Sequence, residues 1–266
     1  MPNMTSSNGE GGCFTREELD ELGIEYPAPP TVACEYCGQI LPVKAFEVLG
    51  NYIWVASEEC GCPESKAAKA EEMREKKAHA EKERLRKYLA AGIEKRYLGA
   101  VVYETRSAAF ISAESHESGR GMYITGGVGS GKTYLASAIA RACVDMGWRV
   151  IMTKSTDMLA SIQDTFENNS SSIETIRAYG TCKLLVIDDL GKESASDWSV
   201  ATIFQIVNMR YGAMLPTIVT SQYPFSGLIE RFSRRGDDET ALAIVSRLKE
   251  TCEFVDLGSR NRRLRK

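Results

Sequence analysis

The sequence predicts an α/β fold built on a parallel sheet, with a small cysteine-bearing module in front of it. Three observations support this. Strand-like apolar segments alternate with helix-forming segments from residue 121 onward, a glycine-rich turn links the first of these strands to the first helix, and two close pairs of cysteines lie near the amino end. Alternating strands and helices are typical of a parallel sheet within a three-layer domain.

Length and composition limit the possible classes of protein. The 266 residues provide room for one full α/β domain and a smaller unit. A net charge of −3 and a hydrophobic fraction of 43% exclude a strongly basic nucleic-acid binder and a disordered chain. No apolar run approaches the roughly 20 residues of a membrane span, and the first residues are polar, unlike a signal peptide. We therefore expect a cytoplasmic protein with mostly reduced cysteines and no membrane segment.

We expect three regions along the chain. Residues 1–63 form an amino-terminal zinc-binding, partner-docking module, residues 64–98 a charged helical linker, and residues 99–266 the α/β core. Thr15-x-x-Glu18 has the form of a capping box and predicts a short helix that ends near Gly23. The linker is rich in Ala, Glu, Lys and Arg, which predicts a solvated helix. A basic surface helix that contacts nucleic acid or a partner is the alternative interpretation.

The glycine-rich turn fits the phosphate-binding pattern of Gly, four residues, Gly-Lys-[Ser/Thr]. A strand before it and a helix after it are the context that this motif requires. The glycines let the backbone wrap around a phosphate, and the helix amino end points N–H groups at the anion. We expect Lys132 to reach the β/γ oxygens and Thr133 to ligate Mg²⁺. The predicted nucleotide contacts in this region are Gly126, Gly127, Val128, Gly129, Ser130, Gly131, Lys132, Thr133 and Tyr134.

Two later strands end in polar residues. The apolar run 184–187 is followed by Asp188 and Asp189, and the strand 217–221 is followed by Gln222. The carboxyl ends of parallel strands open on the crevice beside the phosphate loop. We expect Asp188 to hold Mg²⁺ as the Walker-B acid, Asp189 to polarise the attacking water, and Gln222 to orient that water or sense the γ-phosphate. Capping of the next helix is the alternative for the acidic pair.

Arg247 is a lone charge in the otherwise mostly apolar helical segment 241–248. Arginines stabilise the charge of phosphoryl transfer, and in ring ATPases they often come from the neighbouring subunit. We expect Arg247 to act as such a finger. An intramolecular salt bridge is the alternative.

Cys34-x-x-Cys37 and Cys60-x-Cys62 are separated by 22 residues. Four thiolates on two chelating turns suit tetrahedral Zn²⁺, and four protein ligands leave no open position for catalysis. We expect a structural zinc site. Buried unligated cysteines and a redox pair are the alternatives.

Together, the motifs at 126–133, 184–191, 216–222 and 246–248 resemble the AAA+ ATPases of the DnaC/DnaI helicase-loader type, with the IstB transposition helpers as close relatives. The resemblance runs from about Gly99 to the end. It implies an AAA+ P-loop core without a carboxyl-terminal lid domain, ATP as the nucleotide, and a finger at Arg247. It also implies a nucleotide-sensing arginine, best matched by Arg263 and nearly as well by Arg262.

The chain departs from this family at two positions. Members usually carry Glu after the Walker-B Asp and Asn on the sensor strand, where this chain has Asp189 and Gln222. A carboxylate shortened by one methylene changes the distance to the attacking water, which favours slow hydrolysis.

The resemblance also implies two segments that contact single-stranded DNA. Residues 157–166 resemble an extra helix of these loaders, with Phe166 in the place of an aromatic that faces the ring interior. Residues 192–198 resemble a single-strand-binding loop, with Ser196 on a phosphate and Trp198 where a base could stack. Core packing is the alternative for both aromatics.

The function implied by the resemblance is loading of the hexameric replicative helicase onto single-stranded DNA in bacterial or phage replication initiation or restart. The loader would self-associate into a ring or spiral, and some loaders bind the helicase through an amino-terminal zinc domain. One alternative is an IstB-like transposition helper, a family that usually lacks such a module. Another alternative is a zinc-containing nucleic-acid-binding regulator whose nucleotide site is only a conformational switch. ATP hydrolysis that is stimulated by single-stranded DNA would exclude this alternative.

Overall fold

The structure is a computed structural model of the 266-residue chain. It describes residues 13–48, 51–56, 59–103, 110, 119–167, 171–234 and 237–262. The chain divides into two compact units, Met1–Glu81 and Lys82–Lys266, and the boundary falls within one long helix. No helix in the ranges given above is long and apolar enough to cross a membrane.

The first unit contains short antiparallel strands and two helices. Strand β4 lies between β1 and β5 in a three-stranded sheet, and β2 pairs with β3. The elements are β1 (Cys13–Phe14), α1 (Arg16–Glu21), β2 (Val32–Ala33), β3 (Ile40–Leu41), β4 (Val43–Val48), β5 (Asn51–Ala56) and the first part of α2 (Pro63–Ala90).

Helix α1 begins at the predicted capping box. The Glu18 backbone N–H donates to Thr15 Oγ1 at 3.3 Å, and the Thr15 N–H donates to Glu18 Oε2 at 2.7 Å. Gly23, two residues after the helix, has a φ of +64°. The predicted capping box and helix end are therefore confirmed.

Helix α2 contains the predicted charged helix, and its last turn packs in the second unit. Tyr88 is fully buried there. Its hydroxyl donates to the Asp145 carboxylate at 2.7 Å, and the Arg141 guanidinium lies 4.8 Å from the centre of its ring. Most side chains of the middle of the helix are exposed, as expected for a helix with no wide apolar face.

The second unit is an α/β domain with a five-stranded parallel sheet. The strand order is β10-β6-β9-β8-β7, and every pairing is parallel. Its elements are β6 (Gly121–Thr125), α3 (Lys132–Asp145), β7 (Val150–Lys154), α4 (Ser155–Glu167), α5 (Ser172–Thr181), β8 (Leu184–Leu190), α6 (Asp197–Gly212), β9 (Thr217–Ser221), α7 (Phe225–Ser233), α8 (Asp238–Thr251) and β10 (Cys252–Asp256).

Helices cover both faces of this sheet. Met122 and Ile124 of β6 point into a core shared with α3, whereas Tyr123 points into the core formed with α4 to α8. A strand that is buried on both faces reads as a continuous apolar run, as the sequence showed for β6 and β8. The predicted three-layer α/β fold is confirmed, and the segment 157–166, which resembles an extra helix of the loaders, lies within α4.

The strand order places the predicted catalytic residues together. Strand β9 lies between β6, which leads into the phosphate loop, and β8, which carries the two aspartates. A register shift occurs between Ile187 and Leu190, so that Asp188 and Asp189 together lie opposite Thr220 of β9. Such bulges are frequent beside active sites, where they redirect a side chain.

Candidate functional site

The glycine-rich turn connects β6 to α3. Gly131 is the N-cap of α3 with a φ of +105°, and no side chain caps the helix. The first N–H groups of such a helix lack intrahelical partners and form a natural anion site. Lys132 Nζ donates to the carbonyl oxygens of Gly126 at 2.7 Å and Gly127 at 3.0 Å, which brings its ammonium group into the turn.

One buried atom in the turn points to a ligand. Ser130 Oγ is buried and has no hydrogen-bond partner among the described residues. A buried hydroxyl without a partner is costly, and a bound phosphate oxygen or water would satisfy it. Together with the uncapped helix and the ammonium group of Lys132, this makes the turn suitable for the phosphates of a nucleotide.

Asp188 and Thr133 form the second part of the site. Thr133 Oγ1 donates to the two Asp188 carboxylate oxygens at 3.0 and 3.2 Å, and Thr220 Oγ1 donates to Oδ1 at 2.6 Å. Asp188 is 3% exposed, and this burial raises the pKa of its carboxyl group, which the Thr220 hydrogen bond opposes. A hydroxyl and a carboxylate side by side are ligands that Mg²⁺ prefers, so these residues fit the predicted magnesium site.

Asp189 follows Asp188 in the chain. It lines a cavity beside the glycine-rich turn, which we call the nucleotide cavity. Its φ is +59°, a left-handed conformation that is uncommon for residues other than glycine. Its N–H donates to Thr220 Oγ1 at 2.9 Å, and its carboxylate pairs with Lys192 Nζ at 2.6 Å. Backbone strain at such a position marks a functional candidate. Gln222, which follows β9, is exposed and lines the same cavity.

The cavity has a volume of about 500 Å³, within the range of ligand sites. Sequence reasoning missed several residues that line it: Arg96, Tyr97, Tyr103 and Lys192. Arg262 lines it as well. Its backbone N–H donates to the Gly129 carbonyl at 2.8 Å, and its guanidinium lies 4.8 Å from the centre of the Tyr103 ring. Arg263, the preferred sensor, lies outside the described residues.

Arg247 contacts groups of its own chain. Its Nε donates to Asn208 Oδ1 at 3.0 Å and its Nη1 to the Ala243 carbonyl at 3.0 Å, while the guanidinium lies over the rings of Phe204 and Tyr211. These partners are neutral and do not form the intramolecular salt bridge considered as the alternative. Arg247 does not line the nucleotide cavity.

The residues proposed from the resemblance to contact DNA lie on α4 and at the start of α6. Phe166 is 59% exposed, and its ring lies 6.4 Å from that of Trp198 in an edge contact. Trp198 is partly buried against the core. Ser196 is the N-cap of α6, and its hydroxyl accepts from the Ser199 N–H at 3.2 Å. Phe166 is therefore a surface residue, whereas Trp198 is shared between core and surface.

The four predicted zinc ligands converge in the first unit. The sulfur atoms of Cys34, Cys37, Cys60 and Cys62 all lie within 4.8 Å of one another. The Cys37–Cys60 and Cys34–Cys62 distances are 3.3 and 3.9 Å. A tetrahedral site with Zn–S bonds of about 2.3 Å has S–S edges of about 3.8 Å, so the cluster fits zinc. Backbone N–H groups of Cys37 and Tyr36 lower the pKa of the Cys34 thiol to about 7. The Cys62 backbone lowers the pKa of Cys60, but hydrogen bonding with the Cys37 thiol and burial raise it to about 12, so the fit to zinc rests on the sulfur geometry.

Comparison with known proteins relates the chain to nucleotide-binding proteins of DNA metabolism. The IstB-like ATP binding protein family matches residues 66–266. A relative from Sinorhizobium fredii, named as an insertion sequence ATP-binding protein, is 27% identical over 55% of this chain and 48% of its own length. The replicative helicase loader DnaI of Bacillus subtilis is 25% identical over 54% of this chain and 48% of its own length.

The chain thus spans about half the length of these two relatives. A crystal structure of the DnaC helicase loader matches 61% of this chain and 99% of that chain, with a TM-score of 0.52 and 24% identity, and supports the same fold. The family match covers the glycine-rich turn, the two aspartates and the cavity described above. The chain therefore belongs to the IstB-like ATP-binding proteins, a family of AAA+ ATPases.

Proposed function

We propose that this protein is an ATP-dependent loader of a hexameric replicative helicase onto single-stranded DNA. The observation that carries the proposal is a four-cysteine module ahead of an ATP-binding core that is similar to the helicase loader DnaI. A closed metal site in a small module supplies a surface rather than chemistry, as expected of a docking unit. Self-association into a ring or spiral would let the cores surround the DNA strand.

The chain's own residues have distinct roles in this proposal. Lys132 binds the β/γ-phosphates, and Thr133 and Asp188 hold Mg²⁺, which neutralises phosphate charge when bound. Asp189 orients the attacking water after its carboxylate leaves Lys192, and Gln222 contacts the γ-phosphate or that water. Arg262, one of the two candidate nucleotide-sensing arginines, lines the cavity beside the phosphate loop. The short side chain at Asp189 favours slow turnover.

A transposition helper is the second candidate, because the family match and the Sinorhizobium fredii relative both point to insertion sequences. The two candidates differ in their partner. A tagged copy expressed in the native host, captured with ATP and analysed by mass spectrometry, should recover the replicative helicase. Recovery of a transposase without helicase would contradict the loader and favour the transposition helper.

We expect Phe166→Ala and Trp198→Ala each to weaken binding of single-stranded DNA by about 1–3 kcal/mol, because stacking of a base on an aromatic ring is worth that much. The affinity for ATP should stay unchanged, since neither ring lines the nucleotide cavity. Fluorescence anisotropy with a labelled oligonucleotide measures the effect. Met214→Ala is a control for the loss of an exposed apolar side chain, because Met214 is 60% exposed and lies between α6 and β9, outside α4 and the start of α6. Unchanged DNA affinity in both aromatic variants would remove these residues from the DNA site.

Arg247 is proposed to act on the nucleotide of the neighbouring subunit. Arg247→Ala and Lys132→Ala proteins should each lack ATPase activity, and mixing them should restore part of it, because some interfaces then combine an intact phosphate loop with an intact arginine. Lys249→Ala, an exposed cation on the same helix, is the control and should retain full activity. Absence of recovery at every mixing ratio, with both proteins folded and associated, would place Arg247 in a role within one subunit. Its contacts with Asn208 and Ala243 would then account for that role.

A further inference from the structure

Glu193 is a buried carboxylate near the nucleotide site, in the segment 192–198 that resembles a single-strand-binding loop, and no role was predicted for it. Its side chain belongs to the loop between β8 and α6 and is 4% exposed. It accepts a hydrogen bond from Ser155 Oγ at 2.5 Å, and both of its oxygens lie 3.0 Å from the Gly191 backbone nitrogen. Ser155 is itself fully buried. A buried charge with this set of donors is held in one position, because water cannot replace a donor that leaves.

These contacts connect the two segments that are proposed to bind DNA. Ser155 is the first residue of α4, which carries Phe166 near its other end. Glu193 stands three residues before Ser196, the N-cap of α6, and Trp198 follows in the first turn. The edge contact between the Phe166 and Trp198 rings joins α4 directly to the first turn of α6. A displacement of α4 against α6 therefore acts directly on the bond between Ser155 and Glu193.

The same carboxylate fixes the turn that carries Asp189. Gly191 has a φ of +94°, and a Cβ on it would lie 2.9 Å from a ring carbon of Tyr223, so the turn requires glycine. Arg231 of α7 donates to the Gly191 carbonyl at 2.8 Å and to the Glu193 carbonyl at 3.3 Å. The Asp189 carbonyl lies 3.2 Å from Ser155 Oγ. Movement at Ser155 or Glu193 is thus transmitted to the backbone of Asp189 within one turn.

We propose that Glu193 is a positioning residue that couples single-stranded DNA at α4 and α6 to the orientation of Asp189 beside the nucleotide. The coupling rests on the proposed function. In the structure, the Asp189 carboxylate is paired with Lys192. DNA bound across α4 and the start of α6 shifts Ser155 against Glu193, and the turn then reorients Asp189 toward the attacking water. Glu193 itself does not line the nucleotide cavity.

The test is Glu193→Gln, which keeps the shape of the side chain but replaces one acceptor oxygen by an NH₂ group that faces a donor. We expect kcat in the presence of an unlabelled poly-dT oligonucleotide to fall about tenfold or more, because small misplacements of a catalytic group have effects of this size. KM for ATP and the affinity for the oligonucleotide should each stay within about twofold, since only the step after binding is changed. A merely structural defect would change all three quantities and the melting temperature.

Ser155→Ala provides a second, smaller change in the same contact. It should reproduce the loss of DNA stimulation, and the double variant should lose no more than either single variant, because both act through one bond. Glu230→Gln, an exposed carboxylate on α7, is the control and should behave as wild type. If Glu193→Gln does not fold, Ser155→Ala alone decides the question.

The outcomes separate this inference from the proposed function. Wild-type protein whose hydrolysis is not stimulated by single-stranded DNA would overturn the loader proposal and the coupling with it. Wild-type protein that is stimulated, together with full stimulation in Glu193→Gln and Ser155→Ala, would overturn the coupling alone. Loss of stimulation in both variants with unchanged KM and DNA affinity supports it.

Discussion

Lys132→Ala is expected to abolish tight ATP binding. The Lys132 ammonium lies within the turn, 2.7 Å from the Gly126 carbonyl oxygen, where the phosphates of ATP fit. Removing one partner of a desolvated, hydrogen-bonded charge pair costs about 2–5 kcal/mol, which lowers affinity by roughly 30-fold to several thousand-fold. Calorimetry or a fluorescent ATP analogue measures the change. The orphaned Ser130 hydroxyl and the helix N–H groups remain, so residual weak binding is expected.

Asp188→Asn separates binding from turnover. The amide keeps the size of the side chain but loses the charge that attracts Mg²⁺, so nucleotide should still bind while Mg²⁺-dependent hydrolysis is lost. Lys183→Ala is the control for the loss of a lysine in Lys132→Ala. Lys183 stands just before the amino end of β8, whereas Asp188 and Asp189 lie toward its carboxyl end. Normal ATPase activity in Lys132→Ala or in Asp188→Asn would contradict the assignment of the nucleotide site.

Cys34→Ser is expected to unfold residues from about 31 to 63. In the described part of the first unit, the fully buried apolar side chains are only Leu19 and Ala45. So small a core cannot stabilise a unit of this size, whereas a structural zinc ion supplies about 10–16 kcal/mol of apparent binding free energy. Hydrogen exchange should show loss of protection in β2 to β5, with ATP binding by the second unit unchanged. The same variant should lose the helicase if this module is the docking surface.

Cys13→Ser is the matched control, because Cys13 is an exposed cysteine of the same unit outside the four-sulfur cluster. It should keep both metal and protection. Elemental analysis of protein purified without chelator should find about one zinc ion per chain. A zinc content near zero, or full protection of the module in Cys34→Ser, would exclude the zinc site. If Cys34→Ser unfolds the module but the protein still binds the helicase, the docking surface lies elsewhere in the chain.

The parallel sheet could be predicted from sequence because its strands are buried on both faces. The segment Leu184–Leu190 is apolar until its acidic pair, and β6 ends at the glycine-rich turn, so hydrophobic pattern and motif agree. The separation of α4 from α5 was not predicted, although the run of Asn and Ser residues at 168–172 is typical of a loop and Ser171 is the N-cap of α5. The strands of the first unit were also missed. Strands β2 and β3 have only two residues and carry no periodic pattern, and the six-residue strands β4 and β5 lie in a segment that was interpreted only through its cysteines.

The candidate site could be predicted only where its residues belong to a local motif. Lys132, Thr133 and Asp188 could be found in this way, and the structure brings their side chains together. Tyr103 and Arg262 come from segments distant in sequence from each other, and only the fold places one over the other. The bulge that turns Asp189 toward the cavity depends on the register of β8 against β9, which the sequence pattern does not encode locally.

The proposed loading activity is tested most directly by a helicase-loading assay on closed circular single-stranded DNA, because a closed helicase ring cannot thread onto a closed circle. The protein, the hexameric replicative helicase of the same host and ATP are incubated with the circle, and helicase bound to DNA is quantified after removal of free protein. Helicase should be deposited on the circle only when wild-type protein and ATP are both present, and Lys132→Ala should fail to deposit it. Deposition at the same level without the protein, or none in its presence, would contradict the proposed loading activity.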